Sequence, residues 1–256
     1  MTSGEKQIFT FPSSEHLAHI LAEKVLNLVR QSIITGRNFN VALSGGSTPR
    51  ILFEHIAALY RDPGIWDNVG FYWVDERCVP PDHPESNYRM AREVLLRYLS
   101  HPYDRVFRMM GEEDPHMEAE RYGRLVIEQV PNVKNLPAFD LILLGMGRDG
   151  HTASIFPDQM ELLWTDSVCA VGVHPGSGQR RITLTGKVIN NAENVFFLVT
   201  GQEKAGTAAR IICEAGGYLD YPAAHIKPSR GILSWFLDDA AAQLLHTMEN
   251  PGSHRG

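Results

Sequence analysis

Apolar residues recur along this chain in two alternating rhythms. Between residues 14 and 35, Leu17, Ile20, Leu21, Val25, Leu28, Val29 and Ile33 fall three or four apart, which places them on one face of a helix. Ser13 or Ser14 is positioned to cap its start and Gly36 to stop it. The stretch NVAL, residues 40–43, is short and apolar and reads as a buried strand. It runs through SGGSTP into a helix over 49–60, with Pro49 at its first turn. GFYWVDER, 70–77, reads as one strand, and SNYRMAREVLLRYL, 86–99, as an amphipathic helix. A helix around 116–130 precedes the strand FDLILLGMG. SVCAVGVH, RRITLT and NVFFLVTG read as further strands, and helices near 202–214 and 238–249 flank the strand GILSWFL. Strands alternating with helices imply an α/β fold with a mainly parallel sheet, helices covering both faces. No repeat, low-complexity segment or linker divides the pattern, so one domain over residues 1–256 is expected. Ligands of such sheets sit beyond the carboxyl ends of the strands. The loops after Leu43, Val74 and Leu144 all begin there.

Composition narrows the classes. Hydrophobic residues make up 43% and charged residues 21%, as a packed globular core requires. No run approaches the ~20 apolar residues that span a bilayer. The N-terminus lacks the basic-then-apolar order of a secretory signal. Cys78, Cys169 and Cys213 are widely spaced and match neither a zinc pattern nor a disulfide framework. A reducing, cytoplasmic setting is expected. The net charge of −6 argues against a general nucleic-acid binder, which needs basic patches. A small anion can still be held by a few focused cations.

Two loops offer such cations or their equivalent. Ser44-Gly45-Gly46-Ser47-Thr48-Pro49 joins a strand to a helix, where free N–H groups and the helix dipole favour an anion. It lacks the lysine of a Walker loop, and a plain tight turn with a capping hydroxyl accounts for it equally well. Asp75-Glu76-Arg77 follows an apolar strand. Arg77 there can clamp a phosphate or carboxylate, or simply close a salt bridge at the strand end. Arg181 begins RITLT, and Lys204 follows another strand end and opens a helix. Alone, each is a common surface cation.

Residues 140–157, DLILLGMGRDGHTASIFP, contain Gly145, Gly147 and Gly150 in the G-x-G-x-x-G spacing of a dinucleotide fingerprint. That fingerprint needs a long helix from the third glycine and an acid at the end of the next strand. Pro157 cuts the helix short, and Asp166 precedes the next strand instead of ending it. No dinucleotide is therefore expected. The glycines instead open space around Asp149 and His151. An ordinary imidazole titrates near ~6.5 and serves as a neutral base. His174 and His225 show no metal spacing and read as structural or solvated.

SGGSTP, VDER, ESNYRMAREVLL, GMGRDGHTASIFP, RITLT and FLVTGQEKA occur in this order over most of the chain. Together they resemble the 6-phosphogluconolactonases, within the larger glucosamine-6-phosphate deaminase and ribose-5-phosphate isomerase-like superfamily. The resemblance implies a three-layer Rossmann-like fold with no nucleotide, and neither metal nor cofactor. It implies hydrolysis of 6-phospho-D-glucono-1,5-lactone to 6-phospho-D-gluconate, in the oxidative pentose phosphate pathway. It makes His151 the general base, with Asp149 or Asp75 assisting. Ser44, Gly45, Gly46, Ser47, Thr48, Arg77, Arg181 and Lys204 then hold the sugar phosphate and polarise the lactone. The partner is this small molecule alone, neither nucleic acid nor membrane, and the chain is expected to be a monomer or a weak homo-oligomer. The deaminase branch typically reads D-G-H-I-A-F-N-E-P where this chain reads D-G-H-T-A-S-I-F-P, so Phe156 stands in place of a carboxylate. That branch also has D-E-Y in place of Asp75-Glu76-Arg77. Both departures favour the lactonase over the deaminase. A sugar-phosphate sensor on the same fold is the non-enzymatic alternative.

Overall fold

The computed structural model describes residues 6–60 and 64–245. In chain order the elements are β1 (Lys6–Phe11), α1 (Ser14–Ile34), β2 (Phe39–Leu43), α2 (Ser47–Leu59), β3 (Val69–Trp73), β4 (Asp75–Arg77) and α3 (Asn87–Val94). There follow α4 (Pro115–Gln129), the short β5 (Asn132–Val133) and β6 (Leu136–Pro137), β7 (Leu141–Gly145), β8 (Cys169–Val173) and β9 (Arg180–Leu184). The chain continues through α5 (Gly186–Ile189), β10 (Asn194–Val199), α6 (Ala205–Ile212), β11 (Ile232–Asp238) and α7 (Asp239–Ala242).

Six strands form the main sheet in the order β1-β11-β10-β7-β2-β3, with every neighbouring pair parallel. All residues of β2 and β3 are buried, as continuous apolar runs covered on both sides should be. Stacked rings tighten the middle of the sheet, with Phe197 and Trp235 4.1 Å apart on neighbouring strands. Each large apolar side chain removed from water there contributes about 1.5–3 kcal/mol. The expected first helix is α1. Ser13 accepts from the His16 N–H at its start, and Gly36, at φ +65, ends it. Its buried face includes Leu17, Leu21, Val25 and Val29.

Several expected elements differ. The single strand over 70–77 is two strands. After Trp73 the chain leaves the main sheet, and β4 pairs antiparallel with β9 in a second, three-stranded sheet of order β4-β9-β8. The segments SVCAVGVH and RRITLT lie in this smaller sheet, outside the parallel one. The expected helix over 86–99 stops at Val94 and continues as a 3₁₀ turn, Leu96–Tyr98. The segment 202–214 begins with a 3₁₀ turn, Gln202–Lys204, before α6. Of the helix over 238–249, the described part is α7, and the residues beyond 245 lie outside the described ones. The strand β1 is absent from the sequence reading; its six residues, KQIFTF, show no polar–apolar alternation and pair parallel with β11 at the sheet edge. Among the described residues no disulfide joins the three cysteines, and no helix is long and apolar enough to cross a membrane.

The connection order matters for the site. From β2 the chain goes to β3 on one side, and β7 later returns to the other side of β2. Loops after β2 and β7 therefore diverge and leave a crevice between them.

Candidate active site

A cavity of about 320 Å³ lies in that crevice. Ser44, Gly45, Gly46, Ser47 and Thr48 form one wall, at the end of β2 and the start of α2. Gly46 is the residue before the helix, at φ +110, a conformation that suits glycine. Its carbonyl already accepts the Arg50 N–H, so α2 presents its first free N–H groups at this wall. The Thr48 and Thr200 hydroxyls share a 2.7 Å hydrogen bond, which ties the start of α2 to the end of β10. Lys204 follows that strand end and also lines the cavity.

The opposite wall comes from the small sheet. Alternation along β4 sends Asp75 and Arg77 to one face and Glu76 to the other. Asp75 and Arg77 line the cavity. Glu76 is buried and accepts from the backbone N–H groups of Arg77, Asn87 and Tyr88 at 2.8 Å each, and from the Ser86 hydroxyl at 3.0 Å. It thereby holds the N-terminus of α3 against the site. Burial pushes its carboxyl above the ordinary value, and these four donors oppose the shift. Asn87, at that N-terminus, lines the cavity and donates to the Asp75 carbonyl at 2.9 Å. A β-carbon on Gly45 would meet the Asn87 amide oxygen at 1.8 Å, so the glycine is what lets α3 come this close.

Arg77 and Arg181 are directly opposite partners across β4 and β9. Like charges so placed repel each other. Burial, then the Arg77 charge, lowers the Arg181 guanidinium from its ordinary value. The buried Nε of both arginines and the buried Ser44 hydroxyl have no hydrogen-bond partner among the described residues. Buried polar atoms are as a rule satisfied, so these three beside one cavity are exceptions. Burial likewise lowers the Lys204 ammonium, with the nearby Arg148 charge adding to it; Glu203 and Asp238 oppose.

His151 lines the cavity, on the loop after β7. Its Nδ1 is 2.6 Å from Asp149 Oδ1, and its backbone N–H donates to the same oxygen at 3.2 Å. A carboxylate only accepts, so the Nδ1 hydrogen belongs to this bond and Nε2 is left for the cavity. Partial burial pushes the Asp149 carboxyl up, but the His151 hydrogen bond and charge outweigh it and hold the carboxyl below its ordinary value. On its other side the His151 ring lies 4.8 Å from the buried ring of Phe156, over which the Arg181 guanidinium sits at 5.7 Å.

Of the residues expected from sequence, Asp75, His151, Arg77, Arg181, Lys204 and the five loop residues converge on one cavity. Asp149 stands behind His151 instead of lining it. Asp75 does not touch His151 in any hydrogen bond; its Oδ2 accepts from the Ser154 hydroxyl at 2.7 Å and its Oδ1 from Asn87 at 3.4 Å. The sequence reading missed Asn87, Arg148 and Ser154. Asn87 and Ser154 lie inside quoted motifs, but their role depends on a contact with Asp75 across 12 and 79 residues. Arg148, between Gly147 and Asp149, also lines the cavity. His174 hydrogen-bonds within its own turn and His225 to the Leu219 carbonyl, both in structural roles.

Comparison with known proteins agrees with this geometry. The chain matches the family described as glucosamine-6-phosphate isomerases/6-phosphogluconolactonase over residues 12–235. It is 38% identical to the 6-phosphogluconolactonase of Haemophilus influenzae, over 92% of this chain and 98% of that protein. It is 37% identical to the 6-phosphogluconolactonase of Homo sapiens, over 93% of each. The solved structure of 6-phosphogluconolactonase from Trypanosoma cruzi superposes with a TM-score of 0.85 at 28% identity, over 95% of this chain and 98% of that one. The chain belongs to the glucosamine-6-phosphate isomerase/6-phosphogluconolactonase family.

Proposed function

We propose that this protein hydrolyses 6-phospho-D-glucono-1,5-lactone to 6-phospho-D-gluconate, the lactone-opening step of the oxidative pentose phosphate pathway, with His151 as general base. The observation that carries the reading is the His151–Asp149 pair at 2.6 Å on the lip of a cavity lined by Arg77, Arg181 and Lys204. Family relatives named 6-phosphogluconolactonase, matching over nearly the whole chain, support the substrate.

A lactone is an activated ester, so water can attack it without a covalent enzyme intermediate. His151 Nε2 takes a proton from water as its oxygen bonds to the carbonyl carbon. A base so placed contributes about 10²–10⁴-fold. Asp149 accepts the Nδ1 hydrogen, orients the ring and balances the imidazolium that forms. The carbonyl electrons move to oxygen, and this oxyanion lies among preorganised cations and N–H groups. On collapse the bond to the ring oxygen breaks, and the imidazolium returns its proton to that oxygen. The start of α2 and the cavity cations bind the phosphate, and this remote binding fixes the carbonyl against the base. Asp75 is held by Ser154 and Asn87, away from His151, and serves to position this wall. The deaminase branch carries a second carboxylate just before the loop proline, and here Phe156 takes that position, its ring 4.8 Å from that of His151.

The reading is tested by offering the protein both substrates. Acceleration of lactone opening without ammonia release from glucosamine 6-phosphate is expected. Ammonia release with no lactonase activity would reverse it, and binding of sugar phosphates with neither reaction would make the protein a sensor.

A further inference from the structure

The loop that carries Asp149 and His151 is held in place from outside. Within the loop, the Gly147 N–H donates to the His151 carbonyl at 2.9 Å and the Gly150 N–H to the Gly147 carbonyl at 3.1 Å. These bonds close a tight turn and leave the Arg148 and Gly150 carbonyls, on either side of Asp149, to partners elsewhere. The Thr207 hydroxyl donates to the Arg148 carbonyl at 2.7 Å, and the Ala223 N–H to the Gly150 carbonyl at 3.0 Å. Asp149 thus sits between two fixed peptide groups. Of these two tethers, that of Thr207 alone comes from a side chain.

Thr207 stands in the first turn of α6, three residues after Lys204 and three before Arg210. Residues so spaced are neighbours on one side of a helix. All three act on the same loop: Lys204 lines the cavity with Arg148, Thr207 holds the Arg148 carbonyl, and Arg210 donates at 3.2 Å to the Tyr221 hydroxyl. The Tyr221 ring in turn fills the space where a Gly150 β-carbon would be. A helical threonine commonly turns its hydroxyl back to a carbonyl of the preceding turn. Thr207 directs it to the loop instead.

We propose that Thr207 is a positioning residue for the Asp149–His151 pair. It does not line the cavity. By fixing the peptide group before Asp149, it sets how the carboxylate meets His151 Nδ1, at 2.6 Å, and so where Nε2 points. The assignment deepens the lactonase reading and rests on it for the pair's role as base.

The test compares two variants of the whole protein. Thr207→Val keeps the shape of the side chain and removes the donor, whereas Thr207→Ser keeps the donor. In lactone opening, Thr207→Val should lower kcat about tenfold with KM within about twofold of wild type, because a base tolerates little misplacement. Thr207→Ser should recover kcat to within about twofold. In a His151→Ala background, Thr207→Val should cause no further loss, as expected of a residue that acts through His151. A second readout does not need turnover. The short, charge-assisted bond to Asp149 should give a downfield Nδ1 proton resonance that His151→Ala lacks. That signal should survive in Thr207→Ser and be lost to faster exchange in Thr207→Val, with the unfolding midpoint near that of wild type. Unchanged kcat in Thr207→Val, an equal loss in Thr207→Ser, a rise in KM alone, or an undisturbed Nδ1 proton in Thr207→Val would each overturn the assignment. If the wild type opens no lactone, the proposed reaction falls, and the Nδ1 proton alone decides whether Thr207 holds the pair.

Discussion

A β-carbon on Gly147 would come 2.2 Å from His151 Nδ1 and 2.4 Å from Asp149 Oδ1. The glycine spacing that imitates a dinucleotide fingerprint thus serves a different end: it makes room for the histidine and carboxylate to meet. Gly150, at φ +74, faces the Tyr221 ring where its own β-carbon would be. Gly147→Ala should displace the pair by a fraction of an ångström and lower kcat by about 10²-fold, because catalysis tolerates little misplacement. A thermal unfolding curve alongside the kinetics would separate this from simple destabilisation; unchanged kcat would contradict the packing argument. Lys204 supplies a pH dependence. Its ammonium is lowered by burial, so it loses its charge at a lower pH than an ordinary lysine near ~10.4. In the proposed role, as a cation, it would hold the phosphate below its own titration and release it above. Affinity for 6-phosphogluconate should therefore fall as pH rises toward that value, and Lys204→Arg should flatten the profile. A wild-type affinity that is level throughout would remove Lys204 from the phosphate site.

At the scale of elements, the site depends on a strand that changes sheets. GFYWV is apolar to its end, so nothing in the sequence marks the break after Trp73. The break is tertiary: the Val74 N–H donates to the Leu43 carbonyl in the main sheet, and its carbonyl accepts from Leu184 in the small one. This crossing brings Arg77 opposite Arg181. The helix α1 was legible because its apolar spacing and caps agree, Ser13 accepting from the His16 N–H and Gly36 ending it. β1 was not, since KQIFTF has no polar–apolar alternation and gains strand character from pairing with β11. Nor was the early end of α3, whose start is set by Glu76 from another element. Glu76→Ala would leave the buried Asn87 and Tyr88 N–H groups without this acceptor, at about 1–3 kcal/mol each. A clear drop in denaturant midpoint with a raised KM is the expected pair of results. Unaltered stability would show that α3 is held by its packing alone.

Across the whole molecule, a chain of net charge −6 concentrates cations where an anionic substrate must sit. Arg77 and Arg181 repel each other there, and under the proposed function the substrate phosphate would relieve that repulsion. Ser44–Thr48, His151 and Lys204 could be read from sequence because they follow the ends of parallel strands, whereas Asp75, Arg77 and Arg181 reach the cavity from β4 and β9 of the small antiparallel sheet. What could not be read was the division of labour. Asp75 and Asp149 look equivalent along the chain, yet only Asp149 reaches His151. The most direct test of the central claim uses lactone generated in place from glucose 6-phosphate by its dehydrogenase, with excess 6-phosphogluconate dehydrogenase reporting product through the second NADPH. Wild type, His151→Ala and a protein-free control are compared at mildly acidic pH, where spontaneous opening is slow. Acceleration by wild type, reduced by about 10²–10⁴-fold in His151→Ala with its fold intact, is the predicted result. Equal acceleration by both proteins would contradict the assignment of His151 as the base, and acceleration by neither would contradict the lactonase itself.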